Sequence, residues 1–328
     1  MATINDVAKR AGVSITTVSR AINNSGYVSE EARRKIDEAI RELNYIVNER
    51  ARNLSRQRSG IIGVIIPDLE NPFYGKLIKH IEIELYSYGY KTMVCNTIGT
   101  SNREKEYIDM LDRNIVDGII TCALVLEDQV YTRIKKPIVS TDHDFGPSIP
   151  LIHSDHKKGG RLAAERIIRA GCRNVVMVGA RWDVKTPSSE RYSEFERIMK
   201  ENRIPLHTIY TDWNKMSYSY YTRIMKEYSD ILMNADGIFT SDIGAIALYH
   251  LAAENGRKIP KDLKIIGYDG MDITRISKPV ISCVKQDAAG LAKCCVSTIM
   301  KLIGGEEEIE YHQILDIVFQ EGETINCN

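Results

Sequence analysis

The sequence predicts a small all-α head followed by a longer α/β core built on doubly wound parallel sheets. Three observations carry that expectation. Residues 1–46 hold three short stretches in which apolar side chains recur at helical spacing. From residue 60 the texture changes to short β-branched runs separated by helical stretches, the rhythm of βαβ units. Charge divides at the same place: residues 1–59 carry 11 Lys and Arg against 7 Asp and Glu, so a chain with no net charge has a head of +4 and a remainder of −4.

Thr3 suits the cap of a first helix, reaching Asp6, with Val7, Ala8 and Ala11 on one face and Gly12 as the left-handed residue that ends it. Ser14 restarts the chain as the next cap. The second helix buries Val18, Ala21 and Ile22, which leaves Ile15, Thr16, Ser19 and Arg20 on its opposite, early face. A third helix begins at Ser29 and sets Ala32, Ile36, Ala39, Ile40 and Leu43 on one stripe that closes a three-helix core. The first 26 residues therefore read as a helix-turn-helix, a unit whose second helix enters the DNA major groove. A basic head is the electrostatic footprint such a module needs for phosphates. Ile15, Thr16 and Arg20 are the candidates for base contacts, Arg20 being able to hold a guanine edge through two hydrogen bonds. Ser19 shares their face, and Thr17, Asn23 and Ser29 suit phosphate anchoring.

TINDVAKRAGVSITTVSRAIN, YVSEEARRKIDEAIRELNY and ARNLSR resemble the lactose/galactose repressor family of bacterial transcription factors, and the resemblance extends over essentially the whole chain. It implies a helix-turn-helix domain over 1–46, a hinge helix or linker over 47–59 that folds on operator DNA, and an effector-binding and dimerisation core over 60–328. Within the hinge, Leu54 matches the leucine that wedges into the minor groove, with Ala51 one turn earlier as a second contact. An apolar wedge unstacks a base step, and the kinked duplex then wraps more protein. The family usually places proline and asparagine before this helix, where the chain has Val47-Asn48; Asn48 can still cap it, but the entry is less rigid. Implied partners are a pseudo-palindromic operator duplex, a second copy of the chain and a small-molecule effector, with a sugar favoured and a nucleobase or sugar phosphate as alternatives. Whether the effector induces or co-represses stays open. The chain finishes at FQEGETINCN without a leucine heptad, so a dimer is expected rather than a tetramer.

In the core, IIGVIIP is an apolar β-branched run typical of a strand buried on both faces. Similar runs are KTMVCN (91–96), VDGIIT (116–121), PIVST (137–141), NVVMVG (174–179), GIFTS (237–241) and LKIIGYD (263–269), with helical stretches such as IGAIALYHLAAENG between them. A core of this length exceeds one ordinary domain. The resemblance implies two lobes of periplasmic-binding-protein-like fold, with crossings near 160, 285 and 313, so that 60–160 and 286–312 form one lobe and 161–285 and 313–328 the other.

Ligands on such sheets sit outside the carboxyl ends of the strands. There the chain offers Phe73 and Tyr74 after the first strand, and the resemblance implies effector contacts from Arg191 in Ser-Glu-Arg-Tyr, Asp242 in Thr-Ser-Asp and Asp269 in Gly-Tyr-Asp, the last two closing strands. Trp213 matches a position that stacks on the ligand in relatives. Carboxylates and a guanidinium pair with vicinal hydroxyls while an aromatic face covers the apolar side of a sugar ring. Asp242 also suits a plain helix cap, Asp269 a loop carboxylate, and Tyr74 and Trp213 half-buried packing.

Nothing in the sequence converges on catalysis, and no cofactor is expected. His153-Ser154-Asp155-His156 lacks further ligands at metal spacing on what reads as a strand-to-helix loop, and GARWDV lacks the lysine and glycines of a phosphate cradle. Seven cysteines without CxxC spacing read as small core hydrophobes in a reducing compartment. With no apolar signal segment and no 18-residue apolar run, a cytoplasmic protein is expected, as against a secreted sugar-binding protein of the same fold.

Overall fold

The computed structural model describes residues 2–23, 25–46, 58–98, 100–122, 128–180, 186–212 and 215–325. Contacts divide the chain into two units, Met1–Ser59 and Gly60–Asn328.

The head holds α1 (Ile4–Ala11), α2 (Ile15–Asn23) and α3 (Glu30–Glu42). Thr3 and Asp6 form a reciprocal capping box on α1, and Gly12 ends it at φ +67°. Ser14 Oγ accepts from Thr17 N at 3.1 Å and Ser29 Oγ from Ala32 N at 3.3 Å, so each helix starts where a hydroxyl can satisfy an orphan N–H. Val7, Ala8, Ala11, Val18, Ala21, Ile36 and Ala39 pack into one buried cluster. Small residues on α1 and α2 let the two helices approach closely over Ile36, a core side chain with no exposure.

The second unit has two six-stranded sheets. Its elements in chain order are β1 (Ile61–Ile66), α4 (Pro72–Ser87), β2 (Lys91–Asn96), α5 (Ser101–Asp112), β3 (Gly118–Thr121), α6 (Asp128–Thr132), β4 (Ile138–Ser140), β5 (Leu151–Ser154), α7 (His156–Arg169), β6 (Val175–Ala180), a 3-10 turn (Pro187–Ser189) and α8 (Glu190–Glu201). There follow β7 (Leu206–Thr211), α9 (Tyr218–Glu227), α10 (Ser229–Asn234), β8 (Gly237–Phe239), α11 (Asp242–Glu254), β9 (Lys264–Asp269), α12 (Ile273–Ile276), β10 (Ser282–Gln286), α13 (Ala288–Gly304), β11 (His312–Leu315) and β12 (Ile317–Gln320). The first sheet runs β11-β5-β4-β3-β1-β2, all parallel, and the second β12-β10-β9-β8-β6-β7. β12 lies antiparallel to β10, which modifies the all-parallel expectation. In the first lobe, Ile62, Val64 and Ile66 of β1 pack on Leu77, Ile81 and Leu85 of α4 and on Leu291, Cys295 and Ile299 of α13. In the second, Val176 and Val178 face α11 while Val175 and Met177 face α7 and α8.

The chain passes between lobes at Asp155, Asp287 and Asp316, each following a strand directly. The crossings expected near 160 and 313 thus lie at 155 and 316. α7 packs from its start against α8 and the second sheet, and β11 is hydrogen-bonded along its length to β5 of the first. Asp155 and Asp287 also cap their helices, accepting from Lys158 N at 2.8 Å and Gly290 N at 2.9 Å. The strands that sequence patterning passed over, β5, β7, β10, β11 and β12, are short or carry alternating polar residues such as LIHS and LHTIYT. Backbone pairing, rather than a long apolar run, makes them strands.

Candidate functional site

Between the two sheets lies a cleft enclosing about 1210 Å³, space open to solvent at its mouth included. Its first-lobe wall carries an apolar patch beside the polar Asn71, Thr141, Asp142 and His153. Asn71 caps α4 by accepting from Phe73 N at 3.0 Å, and this brings Phe73 and Tyr74 to the mouth, their rings edge to face at 5.5 Å. Tyr74 is buried, and burial beside Asp142 raises its phenol pKa. Leu77, Cys122 and Leu291 continue that wall.

The second-lobe wall is charged. Arg191 sits in the first turn of α8 with its guanidinium 4.8 Å from the Tyr192 ring centroid and 4.4 Å from that of Tyr268, and Nη2 donates to Tyr192 Oη at 3.1 Å. Its Nε–H is buried without a partner among the described residues. Ser241, not Asp242, caps α11: Ser241 Oγ accepts from Gly244 N at 3.1 Å, which leaves the Asp242 carboxylate available. Asp242 is 2% exposed; Oδ2 accepts from Met271 N at 2.7 Å, while Oδ1 is buried and unpaired among the described residues. Burial and the neighbouring Asp269 push its pKa well above the ordinary carboxylate range. Asp269 ends β9 at φ +111°, a strained backbone for a residue with a side chain, and accepts from Gln286 Nε2 at 2.8 Å. Burial raises its pKa and Arg191 opposes the rise. An unpaired donor and an unpaired acceptor, both buried on one wall, are what a hydroxyl-rich ligand would satisfy.

Close approach around Arg191 depends on two adjacent glycines. A Cβ on Gly160 would lie 2.2 Å from the Arg191 carbonyl oxygen, and one on Gly159 would lie 2.5 Å from Tyr268 Oη. Because the first of these neighbours is backbone, Gly160→Ala should separate α7 from α8 and lower stability by about 3 kcal/mol, read from chemical denaturation at constant m.

Side chains bridge the lobes across the cleft, among them Asn71, whose Nδ2 donates to Met216 Sδ at 3.0 Å. Asp142, after β4, accepts from Ser188 N at 2.9 Å and Ser188 Oγ at 2.8 Å, and Lys76 meets Asp272 at 2.9 Å. The latter pair is largely exposed on its acidic side and contributes little. Burial pushes the Asp142 pKa up to about 6 against the hydrogen bonds from Ser188. A carboxyl raised in the folded state binds its proton more tightly there than in the unfolded chain. Its contribution is therefore fully present below the unfolded value and lost as pH rises from about 4 to about 6. Asp142→Asn removes this penalty, so its melting temperature relative to the parent should climb between pH 4 and pH 7.5, by the equivalent of about 1 to 2 kcal/mol. A difference independent of pH would show that folding leaves the Asp142 pKa unshifted.

On the head, Ile15 (51% exposed), Thr16 and Arg20 lie open to solvent on α2. Asn23 Nδ2 bonds Ser19 Oγ at 3.3 Å, and Thr17 Oγ1 is 2.8 Å from Ser14 Oγ, so these hydroxyls shape the helix as well as its surface. Ser29 is exposed at the start of α3 and spends its hydroxyl on the cap. Ala51, Leu54 and Trp213 lie outside the described residues. The cleft gathers Phe73, Tyr74, Arg191, Asp242 and Asp269 from segments up to almost two hundred residues apart. Asp142, Ser188, Gln286 and Tyr268 were missed by sequence reasoning; Asp142 follows the PIVST strand and was findable by the strand-end rule already applied to Asp269. His153 lies in β5 and His156 in the first turn of α7, not in a loop, and no group of metal ligands forms among the described residues.

Comparison with known proteins agrees with both units. Residues 3–48 match the family described as bacterial regulatory proteins, lacI family; residues 59–208 match the periplasmic binding proteins and sugar binding domain of the LacI family, and residues 164–324 a periplasmic binding protein-like domain. The chain is 34% identical over 328 residues to the sucrose operon repressor of Streptococcus mutans serotype c, covering 99% of this chain and 100% of that one. It is 35% identical to the ribose operon repressor of Halalkalibacterium halodurans, covering 92% and 91%. The crystal structure of the Lac repressor dimer bound to operator and the anti-inducer ONPF superposes with a TM-score of 0.86 at 24% identity, covering 98% of each chain. Sequence identity at this level along nearly the whole length, with a helix-turn-helix head and a two-lobed core in the same order, makes the chain a member of the lacI family of bacterial regulatory proteins.

Proposed function

We propose that the chain is a sequence-specific DNA-binding repressor of a carbohydrate-utilisation operon, acting as a homodimer on a pseudo-palindromic operator, with operator affinity set by a neutral sugar in the cleft. One observation carries the effector class: the wall of Phe73, Tyr74 and Leu77 is apolar while the facing wall of Arg191, Asp242 and Asp269 is charged. A sugar ring has the same two-sidedness, with C–H groups on its faces and hydroxyls on its edge. Among the described residues, four carboxylates line the cleft, at 142, 212, 242 and 269, against Arg191 and a Lys215 already paired with Asp212 at 2.9 Å, a balance that disfavours a sugar phosphate. The relatives named for sucrose and ribose operons support the same class.

Ile15, Thr16 and Arg20 read bases, Thr17, Asn23 and Ser29 anchor phosphates, and Ala51 and Leu54 act at the hinge. Trp213 is assigned to stacking on the sugar. The sugar biases how the lobes sit and thereby the order of the hinge, and the coupling is reciprocal, so operator must change sugar affinity by the same factor. The cleft binds without turnover, since its carboxylates are engaged in holding rather than poised with a nucleophile. No described helix is long and apolar enough to cross a membrane, and a DNA-binding role places the protein in the cytoplasm.

The test is a thermal-shift screen of the full chain against monosaccharides, disaccharides including sucrose, D-ribose, nucleobases and sugar phosphates, since a ligand that binds only the folded state raises the melting temperature by mass action. A neutral-sugar hit that also alters operator retardation is expected. A hit confined to nucleobases or sugar phosphates would overturn the effector class, and failure to bind any duplex with dyad symmetry would overturn the regulator.

A further inference from the structure

Arg191 is held in an unusual way for a buried cation. Its guanidinium lies against the faces of Tyr268 and Tyr192, its hydrogen bond goes to a phenol, and its Nε–H is left for a ligand. Aromatic faces attract a cation without fixing its rotation about the stacking axis. Whatever fixes the plane of the Tyr268 ring therefore fixes the plane of the guanidinium lying on it, while the bond from Nη2 to Tyr192 Oη sets its turn within that plane.

Tyr268 is 2% exposed, and its hydroxyl is wedged at one point of the fold. His156 Nδ1 lies 2.8 Å from Tyr268 Oη, and Gly159, one turn further along α7, leaves room for that oxygen where a Cβ would collide with it. His156 is itself buried at the first position of α7, directly after the lobe crossing at Asp155, and its ring is near-parallel to His153, with centroids 6.3 Å apart. The His153 proton is fixed by its neighbours: Nδ1 faces the Ser154 carbonyl at 2.8 Å, so Nδ1 donates. His153 Nε2, 2.9 Å from His312 Nε2, then accepts from His312. A row of neutral imidazole, neutral imidazole, phenol and guanidinium thus runs from β5 through α7 and β9 to α8.

We propose that His156, acting through Tyr268, is the positioning residue that orients Arg191 in the cleft. The role of Arg191 as a sugar ligand rests on the function proposed above, whereas its positioning by His156 does not. The groups that face His156 are Tyr268 on β9, Arg191 on α8 and His153 on β5, with the Asp155 cap beside it on its own helix. Burial, Arg191 and His153 all hold it neutral, well below the ordinary histidine range. Protonation would set a second cation against Arg191 and would leave Nδ1 only as a donor, so the Tyr268 hydroxyl would have to accept there.

The experiment follows side-chain nitrogens in the full-length, sugar-free protein by 15N NMR with labelled histidine and arginine, so it does not depend on which effector binds. The Arg191 Nε–H signal is assigned by its loss in Arg191→Lys. In the parent, His156 should stay neutral at pH 6.5, and on further acidification the Arg191 signal should move with the His156 midpoint. His156→Asn, uncharged at every pH, should abolish that midpoint, while His153→Asn should retain it. Tyr268→Phe keeps the ring and its packing but loses the hydroxyl, so it should shift the His156 midpoint and raise exchange of the Arg191 Nε–H about tenfold. If His156→Asn does not fold, Tyr268→Phe alone decides. An Arg191 signal unchanged in Tyr268→Phe and independent of the His156 titration would overturn the proposal, even if the cleft binds sucrose or ribose as proposed.

Discussion

Arg191→Ala should lower sugar affinity by roughly 100-fold or more, about 3 kcal/mol, while leaving sugar-free operator binding within about threefold of the parent. The size follows from two losses. A hydrogen bond to a charged group is worth about 1.5 to 3 kcal/mol, and truncating one member of a buried charged cluster leaves the others uncompensated. Arg191 opposes the rise in the Asp269 pKa, so its removal should also make the variant less stable at pH 7.5 than at pH 5, because the ionised Asp269 has lost its cation. Calorimetric titration with the sugar from the screen, paired with operator retardation, checks both halves. Equal loss of sugar and operator binding would indicate a misfolded core, and unchanged sugar affinity would remove Arg191 from the site.

Arg20→Ala is the corresponding change on the head. Exposed on α2, with its methylenes running alongside Gly26, Arg20 can reach two acceptors on one base edge. A bidentate contact to guanine is worth about 1 to 3 kcal/mol of discrimination. The variant should therefore lose selectivity at one base-pair position in each half-site, on the order of 10-fold per half-site, with other positions unaffected. Competition binding against a set of singly substituted operators measures this directly. Uniform weakening on all sequences, with the salt slope reduced by about 1, would make Arg20 a phosphate anchor instead.

These two predictions differ in how far they could be read in advance. Every residue of the α2 surface lies within a few turns of its neighbours, and a periodicity of 3.6 fixes which side chains share a face. Thr3, Ser14, Ser29 and Gly12 then fix where each helix starts or stops. Local spacing carries that information whether or not the helix is packed. Strand ends likewise announced Asp242 and Asp269, since a polar residue closing a buried parallel strand has few places to go except a cleft.

What the sequence by itself determined was the division into a basic helical head and an α/β core, the faces of the head helices and the family, and it named Arg191, Asp242 and Asp269, which line the cleft, as candidates. Tertiary structure alone decided the rest. It moved the lobe crossings to Asp155 and Asp316, because strand order is a matter of backbone pairing between distant segments that leaves no periodic trace. It gave the α11 cap to Ser241 and so released Asp242, and it joined Asp142 to Ser188 across the cleft. It also set His156 against Tyr268, 112 residues away in the chain. A pKa, an orphaned donor or a cation held between two rings depends on what lies within a few ångströms in space, and neighbours of that kind are assembled only when the sheets close on each other.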